Sequence, residues 1–153
     1  MREILKQTTN HNRRWDPTRL LFLVLALFLV ACEDEESKRH LSELKQLAAA
    51  TAVYRDFKEV YVYDDHKPGR ALLSVYYNSR ASYDDVKSFY SNALLTKGWE
   101  LFPKERRGGI LHYLSDSALV FRKGEYQIAI LRESLDQNPT ARNYVISYVW
   151  EQP

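Results

Sequence analysis

Residues 82–99 read SYDDVKSFYSNALLTKGW and carry the clearest secondary-structure pattern in the chain. Five apolar residues recur there at the spacing of one helix face, namely Val86, Phe89, Tyr90, Ala93 and Leu94. Ser82 is suited to cap the first turn, and Gly98 to adopt the left-handed conformation that ends many helices. The pattern predicts a helix over about residues 83–97 whose apolar face packs on the rest of the domain.

Segments typical of β-strands lie on both sides of this helix. Residues 57–64 and 70–78 are rich in Val, Leu and Tyr, and the turn residues Pro68 and Gly69 separate them, which predicts a β-hairpin. After the helix, further strands are predicted at about residues 99–102, 110–114, 117–123, 125–133 and 142–150.

A second helix is predicted over about residues 38–52. Leu41, Leu44, Leu47 and Ala48 fall on one helical stripe, and Ser37 is the expected N-cap. The order helix, two strands, helix and several strands is typical of an α+β fold. We therefore expect one domain over residues 38–153, in which an antiparallel sheet of about five to seven strands packs against the main helix and the N-terminal helix.

The pattern Phe89-Tyr90-x3-Leu94-x3-Gly98-Trp99 resembles a helix found in small exported bacterial domains, where several strands follow it. The resemblance implies the same α+β fold and carries over no functional residue. In physical terms Phe89 and Leu94 pack on a sheet, Gly98 ends the helix, and Trp99 covers the corner.

The first 31 residues have the composition of an export signal. Residues 1–19 hold five basic and two acidic residues, and residues 20–31 (LLFLVLALFLVA) are twelve apolar residues without a charge. A membrane-spanning helix needs about 20 apolar residues, whereas the apolar core of a secretory signal has roughly 7–15. Residues 1–31 are therefore predicted to be a cleaved signal peptide; the alternative is an uncleaved anchor with an incidental buried cysteine.

The sequence Leu29-Val30-Ala31-Cys32 resembles the lipobox of bacterial lipoprotein precursors. The resemblance implies a diacylglyceryl group on the Cys32 thiol, cleavage between Ala31 and Cys32, and acylation of the new amino terminus. Two or three acyl chains hold a protein on a bilayer far more firmly than one. Glu33 stands where Asp would favour inner-membrane retention, so the resemblance favours the outer membrane, facing the periplasm, in a cell that has one.

The charge of the mature chain argues against a nucleic-acid partner. From Cys32 onward there are 17 Lys and Arg against 18 Asp and Glu, so the excess of positive charge belongs to the signal. Nucleic-acid binding usually needs a basic patch. Residues 32–37 are dense in charge and are predicted to be a short tether. The expected partners are the membrane, through the lipid, and a protein of the envelope.

No motif of a catalytic or metal site is present in the sequence. There is no Gly-x-Ser-x-Gly, no Gly-rich phosphate loop and no His-Glu-x-x-His, and the only cysteine is Cys32. Residues 64–66 (Asp-Asp-His) are interpreted as a polar turn, His40 is expected to be exposed, and His112 to be structural. We predict no catalytic residue, no metal and no cofactor other than the lipid on Cys32.

Two segments are candidates for contact with a partner. One is an alternating aromatic stripe, either a contact face or packing for the first helix, formed by Tyr144, Tyr148 and Trp150. The other is a basic loop, either a site for acidic headgroups or polymers or an ordinary solvated loop, formed by Lys104, Arg106 and Arg107.

Together these patterns predict a lipid-anchored cell-envelope protein that acts as a non-enzymatic binding or assembly accessory. An alternative is a protein that binds a small molecule or glycan in a pocket between helix and sheet. A third hypothesis is an envelope hydrolase whose active site is assembled from distant residues.

Overall fold

The computed structural model describes residues 35–103, 118–133 and 143–152. The strands in these ranges are β1 (Lys58–Lys67), β2 (Arg70–Asn78), β3 (Glu100–Leu101), β4 (Leu119–Lys123), β5 (Tyr126–Arg132) and β6 (Tyr144–Glu151). They form one antiparallel sheet in the order β1-β2-β6-β5-β4-β3. The strand that comes last in sequence, β6, therefore lies in the middle, and β1 and β3 are the outer strands.

Two helices pack on one face of this sheet: α1 (residues 35–50) and α2 (Tyr83–Leu95). Leu44 of α1 and Tyr90 of α2 belong to the same buried cluster as Leu73 of β2 and Ile146 of β6. The opposite face has a smaller apolar cluster formed by Ala118, Val120, Ala129 and Val149. The expected α+β fold is confirmed, with α2 as the main helix and α1 as the N-terminal helix.

The ends of α2 follow from its sequence. The Ser82 side chain accepts a hydrogen bond from the Asp85 backbone N–H at 3.1 Å, and its hydroxyl donates to the Asp85 carboxylate at 2.7 Å. After the helix, Gly98 has a φ of +78°, which allows the chain to reverse and brings Trp99 into the core. The predicted capping residues are confirmed, and residues 96–98 form the closing turn.

The first helix begins earlier than the sequence pattern predicts. Residues 35–37 are already helical, so Ser37 lies inside α1, fully buried, and is not its N-cap. Ion pairs one turn apart support this early start, with Lys38 3.0 Å from Glu35 and Arg39 3.5 Å from Glu36. The part of the predicted tether that the structure describes is thus helix.

The strands agree with the predicted segments to within a few residues. The turn between β1 and β2 contains Gly69 at a φ of +76°, and β1 continues to Lys67, three residues further than predicted. The strand predicted at 99–102 is only two residues long, and the one predicted at 110–114 lies outside the described residues.

The sheet has two distinct ends, which are named here for later use. The hairpin end holds the β1–β2 and β4–β5 turns; at the far end β1 and β6 begin and β2 and β5 finish. Near its start α1 places His40 against Trp150, close to the last residue of β6. Beyond α1, Phe57 lies against Tyr144, the first residue of β6. The chain therefore enters the domain at the hairpin end and runs toward the far end.

Neighbouring leucines of α2 provide a test of the core. Leu94 is 2% exposed and Leu95 is 50% exposed. Because Leu94→Ala leaves a cavity under the helix, we expect it to lower the free energy of unfolding by about 2–5 kcal/mol. The matched control, Leu95→Ala, should change it by less than about 0.5 kcal/mol. Urea unfolding followed by tryptophan fluorescence measures both, and similar losses for the two variants would contradict this packing.

Candidate functional site

The predicted aromatic stripe on the last strand lies in the core. Tyr144, Tyr148 and Trp150 are 0%, 2% and 2% exposed, because β6 is a central strand and the helices cover the face on which these residues lie. The Tyr144 hydroxyl donates to the Ala81 carbonyl at 2.8 Å, and the Trp150 ring N–H donates to Glu125 at 2.9 Å. These three side chains are therefore part of the core and do not form an exposed contact face. Of the three, Trp150 stacks on His40 of the first helix, whereas Tyr144 lies against Phe57 and Tyr83.

Other sequence candidates fall outside the part of the chain that the structure describes. These are the predicted cleavage and lipid-attachment positions, Ala31 and Cys32, and the basic loop of Lys104, Arg106 and Arg107. His112 also lies outside it. They remain predictions from the sequence.

The acid–histidine segment, residues 64–66, lies at the end of β1. Asp64 forms an ion pair with Lys45 of α1 at 2.5 Å, and Asp65 forms one with Arg70 of β2 at 3.0 Å. Among the described residues there is no group of three or more His, Cys, Asp or Glu that could hold a metal ion. The two carboxylates thus connect β1 to its neighbours, and the segment is strand where a turn was predicted.

His40 occupies a buried position at the hairpin end, although the sequence predicts it to be exposed. It is 3% exposed, and its ring stacks on Trp150 with 3.8 Å between ring centroids. Its Nδ1 lies 2.8 Å from the Tyr126 hydroxyl and 2.9 Å from a carboxylate oxygen of Glu43, to which that hydroxyl donates a hydrogen bond. The signal for this burial is in the sequence, because His40 precedes Leu44 by four residues and so shares its helix face.

Electrostatics keep the Glu43 carboxyl charged and the Tyr126 phenol protonated at neutral pH. The hydrogen bond from Tyr126 and the nearby His40 and Arg39 hold the pKa of Glu43 below its usual value. Burial and the hydrogen bond to the Glu43 carboxylate raise the pKa of Tyr126. The carboxylate therefore stays charged and the phenol stays a donor, which fastens the start of α1 to β5.

The central residues of β1 form the largest exposed apolar stretch in the described part of the chain. Val60, Tyr61, Val62 and Tyr63 are 54%, 50%, 43% and 40% exposed. Within the described ranges β1 pairs only with β2, so alternate N–H and C=O groups on its other side face no strand. We call this free side of Val60–Tyr63 the β1 edge.

Two features limit indiscriminate pairing along the β1 edge. The register with β2 skips between Glu59 and Tyr61, so Val60 forms a β-bulge, which increases the local twist. Charged residues also flank the apolar stretch, with Lys58 and Glu59 before it and Asp64 after it. Bulges and charges are common protections of outer strands. Between the flanking charges, the four uncharged residues Val60–Tyr63 remain open to contact with an incoming strand.

An open groove lies at the far end, directly beside the start of β1. Its volume is about 1140 Å³, and its walls carry one acid, Asp56, and four cations, Arg55, Lys58, Arg80 and Arg132. Asp56 lies 4.0 Å from Arg55. Among the described residues, no carboxylate forms an ion pair with the other three cations. We call this feature the basic groove.

Buried polar residues hold the floor of the basic groove in place. The Asn143 side chain accepts a hydrogen bond from the Ser79 backbone N–H at 3.0 Å and donates one to the Ser79 carbonyl at 2.5 Å. The backbone N–H of Glu133 donates to the Asn143 carbonyl at 3.0 Å. These bonds connect the end of β2 to the end of β5 through Asn143. The backbone segments that carry Arg80 and Arg132 are therefore held together by hydrogen bonds.

No protein-family model, curated protein or solved structure was found to match this chain. In the part of the chain that the structure describes, no helix has the length and apolar character needed to cross a membrane.

The contacts of Tyr126 lead to a prediction about stability and pH. Tyr126→Phe removes the hydroxyl that donates to Glu43, and we expect it to lower the free energy of unfolding by about 1 kcal/mol at neutral pH. Because the folded-state pKa of Glu43 lies below its ordinary value of 4.5, this stabilisation is present above that value and is lost as the pH falls through the lowered pKa.

Urea unfolding at neutral pH and at about pH 3 measures this effect, and the difference between wild type and Tyr126→Phe should shrink at the lower pH. Tyr61→Phe, at a half-exposed position on β1, is the matched control and should leave stability unchanged. A loss for Tyr126→Phe that is the same at both pH values would show that the Glu43 contact is not its source.

Proposed function

We propose that this chain is a lipid-anchored protein of the bacterial cell envelope that binds a partner protein without catalysis. The lipid anchor is expected at Cys32, on the resemblance of residues 29–32 to a lipobox. The observation that carries the binding role is the β1 edge, an uncharged and exposed stretch of an outer strand. The proposed partner contributes an extended segment that adds to the sheet beside β1.

The chemistry of the β1 edge suits strand addition. Free backbone N–H and C=O groups supply affinity, and side chains on the two faces of the strand supply specificity. Val62 lies opposite the core residue Val75 and so faces the helices, whereas Tyr61 and Tyr63 face the other side. An added strand gains cross-strand contacts with Val62 on one face and with the tyrosines on the other.

A second copy of the chain suits the β1 edge less well than a different protein does. Two antiparallel β1 strands are related by a two-fold axis, which places the hairpin end of one copy beside the far end of the other. Cys32 lies three residues before the described start of α1, a reach of at most about 11 Å, whereas a ten-residue strand spans about 33 Å. Two anchors at opposite ends are poorly placed for one membrane surface.

Charge gives self-pairing no net advantage. The antiparallel register that lays Val60–Tyr63 on the same stretch of a second copy puts Glu59 opposite Asp64 and Lys58 opposite Asp65 on both sides of the two-fold axis. The first pair is repulsive and the second attractive, so the two oppose each other.

The packing between the helices and the sheet favours the protein-binding role over the alternative of a small-molecule pocket in that space. Among the described residues, the aromatic side chains of Tyr90, Tyr144 and Tyr148 are buried there together with aliphatic ones. Burial raises the pKa of Tyr90 and Tyr148, as expected for phenols inside a packed core. A ligand pocket at this position would have to displace these side chains.

Site-specific photo-crosslinking in living cells tests the binding role. A benzophenone amino acid in place of Tyr61 or Tyr63 of the full chain should crosslink to one partner, and mass spectrometry should map both crosslinks to one short segment of it. Val62→Lys places a charge within the apolar stretch and should reduce the yield by roughly tenfold. The matched control is Val53→Lys, at an exposed valine before β1, and it should leave the yield unchanged.

Two outcomes would contradict the proposal. Crosslinks to β1 of a second copy would replace the partner with a dimer of this chain. A yield no greater than that from the same probe at Ser42, an exposed position on α1, or a yield insensitive to Val62→Lys, would exclude the β1 edge as the docking site.

The anchor is tested separately. Cells fed an alkyne analogue of palmitate should label the wild-type chain, and Cys32→Ala should lose the label, because its side chain has no thiol to accept the lipid. Membrane fractionation should then find Cys32→Ala released from the fraction that holds the wild-type chain. An unlabelled wild-type chain would overturn the lipid anchor and leave the crosslinking test unaffected.

A further inference from the structure

We infer that the basic groove binds acidic residues at the carboxyl-terminal end of the segment that pairs with the β1 edge. This inference rests on the proposed docking role and names the chemistry of the partner. The segment would consist of a short apolar strand followed by Asp, Glu or a free terminal carboxylate.

The groove and the β1 edge are continuous. Lys58 and Val60 belong to β1 and also line the groove. A strand added to β1 therefore passes the groove mouth at the far end of the sheet. Since the β1 edge supplies the backbone pairing and the groove supplies charge, one segment can use both.

The direction of the added strand determines which of its ends reaches the groove. The strand pairs in this sheet are antiparallel, and antiparallel pairing is slightly more stable per residue than parallel pairing. β1 runs from the far end to the hairpin end. An antiparallel neighbour runs the other way, so its carboxyl-terminal end arrives at the groove.

The charge of the groove points to an anionic occupant. Its four cations come from separate parts of the chain: Arg55 and Lys58 lie before and at the start of β1, Arg80 lies between β2 and α2, and Arg132 ends β5. The chain from Cys32 onward has slightly more acidic than basic residues, so this concentration is local. Arginine binds carboxylates through paired hydrogen bonds, which gives the site directional contacts as well as charge.

The size of the groove favours several residues over a single small anion. Its volume of about 1140 Å³ is slightly above the roughly 300–1,000 Å³ typical of ligand sites. The floor polar groups of Ser79 and Asn143 are bonded to each other, which leaves recognition to the cations on the walls. An extended acidic segment can meet cations that stand on different elements.

A fluorescein-labelled hexaglutamate peptide with a free carboxyl terminus is the probe for this site. It is titrated with the detergent-solubilised full chain at about 20 mM salt, where screening is weak. We expect saturable binding in fluorescence anisotropy, and no binding of hexalysine. The double variant Arg80→Glu with Arg132→Glu should weaken hexaglutamate binding by at least tenfold.

The control variant changes the net charge equally at the other end of the sheet. Lys67→Glu with Arg122→Glu alters two exposed cations at the hairpin end and should change hexaglutamate affinity by less than about twofold. Equal losses of hexaglutamate affinity in the two double variants would show that net charge alone explains the binding, and would overturn the inference. The absence of hexaglutamate binding would also overturn it. Displacement by millimolar inorganic phosphate as readily as by unlabelled peptide would replace the acidic segment with a phosphate ligand.

Val62→Lys separates this inference from the proposed docking role. It lies outside the groove lining and should leave hexaglutamate affinity within about twofold while it reduces crosslinking from Tyr61. Groove binding without crosslinking would overturn strand addition and leave the groove as an acidic-peptide site that does not depend on the β1 edge. Crosslinking without groove binding would sink the acidic specificity alone.

Discussion

Burial of β6 between β2 and β5, with two helices over one face, is the constraint on which the rest of the domain depends. Its alternate residues from Tyr144 to Trp150 fill the space below α1 and α2. Because β6 joins the β1–β2 hairpin to the β5-β4-β3 side, its side chains touch both halves of the core. The helices in turn hold their positions through this strand, as His40 on Trp150 and the Tyr144 hydroxyl on Ala81 illustrate.

The two ends of the sheet differ in what they carry. The hairpin end receives the chain from the predicted lipid anchor and is closed by the buried group around His40. The far end carries cations on connections that β2, β5 and α2 place side by side. β1 runs between the two ends as an outer strand, so its apolar stretch extends from near the groove toward the predicted anchor side. The proposed docking role uses this geometry, in which a partner segment lies along β1 with its end turned away from the membrane.

Local patterns in the sequence predict α2 and the hairpins well, because caps, turns and helical stripes act over a few residues. Ser82, Gly98 and Gly69 illustrate this, whereas the predicted N-cap of α1, Ser37, lies inside that helix. The order of the strands depends on contacts between residues far apart, and nothing local places the last strand in the centre. The aromatic stripe of Tyr144, Tyr148 and Trp150 was therefore compatible with an exposed face and with a buried one.

The candidate sites show the same limit. The exposure of Val60–Tyr63 depends on β1 being an outer strand, and alternating Val and Tyr fit an inner strand equally well. Arg55, Lys58, Arg80 and Arg132 are scattered in sequence, so only the fold brings them together. The burial of His40 departs from the prediction for a more local reason. The predicted apolar stripe of α1 begins at Leu41, but residue 40 lies four positions before Leu44 on the same helix face and is buried as well.

The central place of β6 also governs when this chain can fold. The other five described strands precede β6 in sequence. Until residues 144–151 are available, the β1–β2 hairpin and the β5-β4-β3 side have no strand to join them. An incomplete chain, such as one still being synthesised, thus holds two separate pieces of sheet with unpaired inner edges. Such contacts between distant segments form late because the intervening chain must first be ordered. Because β6 is the last of the described strands in sequence, the predicted export of this chain would deliver last the strand that completes the sheet.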